Sequence, residues 1–130
     1  MHKKIRIIIA DDDLRIRSNL KDILTEKGFL TETAKNGYEL LAKIKAKIPH
    51  LVILDLIMPE KDGIDILSTI KSISPHIKII IYTGFKKYEQ TIYAYAADKF
   101  LVKGDNPEQI LQAINELTKD IPPQENNTRK

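Results

Sequence analysis

Residues 51–63, LVILDLIMPEKDG, decide how the rest of the chain is read. Four apolar residues, Leu51 to Leu54, make a short run rich in branched side chains, which reads as a buried strand. The run stops against Asp55, a charge that costs several kcal/mol to bury unless something pairs with it. Met58 and Pro59 just beyond are turn chemistry, so the strand ends at a loop with a carboxylate at its root. The rest of the chain must supply what pairs with that carboxylate.

Four other runs resemble the first one. Residues 5–10, 29–34, 77–82 and 99–102 read as strands, which makes five with 51–54. Between them the apolar residues recur at helical spacing: Ile16, Leu20, Ile23 and Leu24; then Leu40, Leu41, Ile44 and Ile48; then Ile64, Leu67, Ile70 and Ile73. Residues 87–97 and 107–119 supply two more helices. The last is the best signposted, with Asn106 as cap, Pro107 at the first helical position and Gln109 at capping-box spacing. Five βα units of this size predict an α/β fold, a parallel sheet covered by helices on both faces.

Composition narrows the function classes. At 130 residues the chain fits one domain, with a core large enough to need no disulfide or metal staple. It has no cysteine, which removes thiol chemistry and is compatible with a cytoplasmic location. The apolar run after the first lysines ends at Ala10 against three aspartates, too short for a signal peptide, and no segment is long enough to span a membrane. Twenty-one basic residues against eighteen acidic ones give a net charge of +3, but the basic ones are scattered. The densest group, Lys43, Lys45 and Lys47, reads as a solvated helix face, not a nucleic-acid surface. Residues 3–119 form the expected domain; 120–130, polar and without periodicity, read as a flexible tail or the start of a linker.

Ligands of open α/β sheets bind beyond the carboxyl ends of the strands. Those ends carry Asp11, Asp12 and Asp13, then Asp55, Thr83 and Lys103. Singly, each has an ordinary explanation: a helix cap, β-propensity, an exposed lysine. Together they form a coherent set. Three carboxylates near one point repel unless a divalent cation lies between them, and hard oxygen ligands with room for water suit Mg²⁺. A carboxylate ionised by that cation and by Lys103 is equipped to attack phosphorus, and the product is an acyl phosphate on Asp55.

IIIADDDLRIR, with Arg17 five positions after Asp12, LVILDLIMPEKDG, IIIYTG and KFLVK occur in this order across about residues 3–119. In these motifs the chain resembles the receiver domain of two-component response regulators. The resemblance implies a flavodoxin-like doubly wound sheet of order 2-1-3-4-5. It implies Asp11, Asp12, Asp55 and the carbonyl of Ile57 as Mg²⁺ ligands, and Asp55 as phosphoacceptor. Thr83 becomes the switch hydroxyl, Phe100 the switch aromatic and Lys103 the phosphoryl-binding cation. Asp13 is left to cap the following helix. Implied partners are a histidine kinase or phosphotransfer protein as donor and a DNA-binding effector domain absent from this chain.

Two positions depart from the common pattern. Gly104 stands where many receivers have a proline, often cis, so an unusual glycine backbone is expected in its place. The Lys-Gly ending and the Asn-Pro-Glu opening of the last helix are similar to receivers of the NarL and FixJ kind. Phe100 stands where tyrosine is frequent and lacks its hydroxyl. Ile57 and Phe85, two residues past the acceptor and the switch threonine, occupy positions that in the family govern self-dephosphorylation; apolar residues there imply a slow rate. Tyr88, Tyr93 and Tyr95 offer a contact face, for a homodimer among other partners, although helix packing explains them as well. Two rival functions remain at the level of sequence. A phosphohydrolase of the haloacid dehalogenase type would want an aspartate at position 57, and a pure interaction module would not need every ligating position filled.

Overall fold

The computed structural model describes residues 4–56, 63–84, 96–104 and 106–121. Its strands are β1 (Arg6–Ala10), β2 (Leu30–Ala34), β3 (Leu51–Leu54), β4 (Lys78–Thr83) and β5 (Lys99–Val102). They form one parallel sheet in the order β2-β1-β3-β4-β5, as expected. Among the described residues the helices are α1 (Leu14–Glu26), α2 (Gly37–Ala46), α3 (Gly63–Ile73) and α4 (Glu108–Thr118). The helix expected at 87–97 falls almost wholly outside the described residues, as do Ile57, Met58, Pro59, Phe85, Tyr88, Tyr93, Tyr95 and the tail from 122.

The alternation of side chains along each strand sorts the core into two layers. Ile7, Ile9, Leu51, Ile53 and Ile80 face α1 and α4, where Leu20, Leu24, Ile110 and Ile114 cover them. Ile8, Ala10, Val52, Leu54, Ile79 and Ile81 face α2 and α3, against Leu40, Ile44, Ile66, Leu67 and Ile70. The central strands β1, β3 and β4 are covered on both sides, which is why they read as near-continuous apolar runs. The edge strands can afford polar residues: β2 carries Thr31, Glu32 and Thr33, and β5 opens on Lys99, paired with Glu116 at 2.6 Å.

Helix ends follow local chemistry. Asp13 caps α1, its Oδ1 accepting the Arg15 N–H at 2.9 Å. The helix closes through Gly28 at φ +97°, with the Phe29 N–H on the Leu24 carbonyl at 3.0 Å. Asn36 caps α2 through the Glu39 N–H, and the Glu39 carboxylate reaches back to the Lys35 N–H. α4 is assigned from Glu108, one residue inside the expected start; Pro107 already has helical angles and Asn106 Oδ1 accepts the Glu108 N–H at 3.0 Å. One apolar position departs from the expected spacing. Ile48 lies beyond the end of α2 and is exposed, because Lys47 has left the helix at φ −158° and Pro49 disfavours helical angles in the residue before it.

The amino edge of the sheet is tied by side chains. Asp98 Oδ2 accepts the Ile79 N–H at 2.8 Å and the Lys71 ammonium at 3.4 Å, while Lys71 also donates to the Ile77 carbonyl at 2.6 Å. At the starts of β1 and β3, His50 Nδ1 accepts the Arg6 N–H at 2.9 Å. Burial, helped by the Arg6 charge, holds the His50 imidazole below its ordinary value of 6.5. The unfolded chain therefore takes up the proton first as pH falls, so the stability this residue confers is present above about pH 6.5 and declines below it. Denaturant melts from pH 7.5 to 5.5 are expected to show this decline, with a flatter slope in His50→Asn. An identical slope in the variant removes His50 as its source.

Candidate functional site

β1 lies between β2 and β3, so the chain leaves the sheet in opposite directions on its two sides and opens a crevice at their carboxyl ends. Three ladders run one residue past the strands there: the Asp11 N–H bonds to the Ala34 carbonyl, the Asp55 N–H to Ala10 and the Lys103 N–H to Thr83. Because the pleat continues, Asp11 follows Ile7 and Ile9, Asp55 follows Leu51 and Ile53, and Lys103 follows Leu101. The alternation that builds the α1/α4 side of the core thus delivers all three charged groups to one face.

The groups meet. Lys103 Nζ lies 2.6 Å from Asp11 Oδ2 and 2.9 Å from Asp55 Oδ2. Both carboxylates are almost fully buried, and the lysine retains a fifth of its side-chain exposure. Asp12, exposed, completes a set of three acids whose ligand oxygens lie within 4.8 Å of one another. Burial pushes the Asp11 carboxyl above its ordinary value, against the opposing hydrogen bonds from Lys103 and the Asp13 N–H and the Lys103 charge. Burial works against the Lys103 charge too, but its hydrogen bonds to Asp11 and Asp55, with their charges, outweigh it and raise the lysine pKa. The ammonium answers the question posed by Asp55: a buried carboxylate has its cation 48 positions away in the sequence.

Thr83 is fully buried at the end of β4. It extends the side of the sheet carrying Ile79 and Ile81, and Phe100, paired in register with Ile81, packs partly buried against that same layer. The two expected switch residues therefore share a face on adjacent strands. Gly104 follows Lys103 with φ +97°, a conformation L side chains rarely adopt, and no peptide among the described residues is cis. Asp13 is engaged as the α1 cap.

One contact was not foreseen from the sequence. Arg17 Nη1 donates to the backbone carbonyl of Asp11 at 2.8 Å. The available signal was its place near the start of a helix, where the macrodipole disfavours a cation.

The oxygen-only donor set, one edge open to solvent, suits a hard divalent cation that keeps several waters; Asp11, Asp12 and Asp55 are the residues that would hold it. Among the described residues no helix is long and apolar enough to cross a membrane.

Residues 7–115 match the family profile described as response regulator receiver domain. The chain is 36% identical over 117 residues to the chemotaxis protein CheY of Thermotoga maritima, covering 88% of this chain and 98% of that one. It superposes with a TM-score of 0.82 on the crystal structure of the response regulator TrrA of the same organism in complex with Mg²⁺-BeF, at 34% identity, covering 87% of this chain and 98% of TrrA. A second crystal structure, of the histidine kinase ThkA in complex with TrrA, aligns at a TM-score of 0.80 and 34% identity, over 87% of this chain and 97% of that one.

Proposed function

The chain belongs to the response regulator receiver domain family, and from that premise we propose that it is a phosphorylation-dependent switch whose phosphoacceptor is Asp55. The observation that carries the reading is the Lys103 ammonium bridging Asp11 and Asp55 inside a three-carboxylate cluster at the carboxyl edge of the sheet. The donor is the phosphohistidine of a histidine kinase, in keeping with the kinase complex of the similar TrrA.

In the transfer, an Asp55 oxygen attacks phosphorus in line with the phosphorus–nitrogen bond of the donor. That bond breaks as the new phosphorus–oxygen bond forms, and the imidazole leaves with the electron pair. Lys103, already within hydrogen-bond reach of Asp55, follows the charge onto the phosphoryl oxygens. A Mg²⁺ ion held by Asp11, Asp12 and Asp55 would supply charge neutralisation at those oxygens; the related TrrA was crystallised with Mg²⁺. Asp12, the most exposed of the three acids, keeps the entry side open to the donor. Thr83 turns its hydroxyl to the transferred group, and Phe100, on the same face, moves into the space released. The domain catalyses its own modification and loss of phosphate; its output is altered partner binding.

The test is direct. Incubation with a small acyl phosphate is expected to add the mass of one phosphoryl group in the presence of Mg²⁺ and none in its absence. Turnover of a phosphate ester without a stable adduct would instead favour a phosphohydrolase.

The phosphorylated form is expected to be long-lived. The side chains of Ile57 and Phe85, at the two positions that the family resemblance puts next to the acyl phosphate, carry no hydrogen-bonding group, and ordering the hydrolytic water is part of the barrier. The Ile57→Asn, Phe85→Glu double variant should lose phosphate faster, read as the decay of phosphorylated protein at fixed Mg²⁺ after removing the donor. Decay at the parent rate or slower shows that water ordering at these positions does not limit the reaction.

A further inference from the structure

We propose that Arg17 is a positioning residue for the acidic site, fixing the peptide between Asp11 and Asp12 so that both carboxylates are held ready for a divalent cation. The inference rests on the reading of Asp11, Asp12 and Asp55 as the cation site.

Asp11 is 2% exposed and uses every polar group it has. Its N–H goes to the Ala34 carbonyl at 3.1 Å, Oδ1 accepts the Asp13 N–H at 2.9 Å, and Oδ2 accepts Lys103 at 2.6 Å. The remaining group, the backbone carbonyl, has left the sheet ladder and takes its hydrogen bond from Arg17 Nη1 at 2.8 Å. Two of these bonds control the acid loop itself. The Asp13 N–H orients the Asp11 side chain, and the Arg17 guanidinium fixes the plane of the following peptide, from which Asp12 projects.

Arg17 is well suited to the task. Its own N–H bonds to the Asp13 carbonyl at 3.1 Å, so its stem is anchored in the first turn of α1. The half-buried side chain reaches back over the Asp13 cap to the end of β1. The location is costly by ordinary helix chemistry: this end of α1 carries Arg15 and Arg17 and has no acidic residue in its first turn. Arg15 offsets its charge against the cap, Asp13, at 3.6 Å. Arg17 is committed to the Asp11 carbonyl.

Position and charge oppose each other in cation binding, which makes the inference testable. Loss of positioning weakens binding, since the loop must be ordered on association; loss of the positive charge strengthens it. Groups that orient metal ligands from the outer shell are typically worth roughly tenfold or more in affinity. Arg17→Met is therefore expected to bind Mg²⁺ roughly tenfold more weakly, despite having lost a repelling charge. Arg17→Lys, which keeps the charge without the planar fork, should fall between that variant and the parent.

Isothermal titration with Mg²⁺ measures these affinities, and circular dichroism establishes that each variant is folded. With a small acyl phosphate as donor, the Mg²⁺ concentration for half-maximal labelling should rise in both variants while the rate at saturating Mg²⁺ stays near that of the parent. Asp12→Asn is the control for the site. If the parent does not bind Mg²⁺, or Asp12→Asn binds it as the parent does, the reading of the cation site fails and this inference with it. If the control weakens binding but Arg17→Met matches or exceeds the parent, Arg17 acts only as a charge or a structural prop and the inference alone is overturned. Should Arg17→Met not fold, Arg17→Lys decides: parental affinity in that variant overturns the positioning role.

Discussion

Asp55→Asn is expected to abolish phosphoryl incorporation and leave the sheet intact. The amide lacks the charge and the nucleophilicity of the carboxylate that stands beside Lys103 at the end of β3. The fold should tolerate the change, because Asp11 keeps its contact with Lys103 at 2.6 Å and one charge is removed from a repelling set. Intact mass after incubation with an acyl phosphate and Mg²⁺ reads the loss, and a thermal melt reads the fold. Incorporation at parental stoichiometry on a different residue would overturn the assignment of Asp55.

Lys103→Met is expected to have the largest effect on stability, and the effect should depend on what else is in solution. The substitution keeps the length of the stem but leaves Asp11 and Asp55, both buried, without the cation that joins them. Breaking a buried pair on one side costs about 3 kcal/mol at the lower end of the usual range, which suits a lysine that retains some exposure. Two conditions should return part of it. Mg²⁺ restores a positive charge to the cluster and stabilises the fold by mass action. Acid does so by another route. The folded Asp11 carboxyl titrates above its ordinary 3.8, so its contribution to stability is full below that value and is lost as pH rises through the folded one. Without Lys103 that upward shift grows, and the deficit of the variant should shrink as pH falls. Denaturant melts at neutral and acid pH, with Mg²⁺ and with chelator, give the comparison. An equal deficit under all four conditions would mean that Lys103 contributes packing and not charge.

Much of this was legible in the sequence, for a reason specific to parallel sheets. β1, β3 and β4 are buried on both faces, so each is written as a near-continuous apolar run. A charged residue ending such a run marks the carboxyl edge, where sites form. Asp11, Asp55 and Lys103 were visible as candidates because each stands one position past a strand. What was not legible depends on reach. The bond from Arg17 to a carbonyl six residues earlier, and that from Asp98 to an amide nineteen residues earlier, follow from loop geometry and leave no periodic trace. Ile48 misled for a related reason: its spacing suits α2, but the proline after it sets the backbone. Spacing reports which face a residue would occupy in a helix, without saying that the helix reaches it.

The bridge made by Lys103 also bears on how the protein is born. Synthesis runs from the amino end, so both carboxylates exist before their partner does. Asp55 and Lys103 are 48 positions apart, a gap that takes roughly 2–10 s to translate. During that interval a chain bearing β1 and β3 holds two acids at one edge with no lysine to join them. Pairing of those strands brings like charges together at their carboxyl ends and is disfavoured there unless a divalent cation is at hand. This carboxyl edge, where Asp11, Asp55 and Lys103 meet, thus becomes electrostatically complete only once β5 has been made. The arrival of β5 brings the cation that joins the two acids, before α4 has come to cover its side of the core.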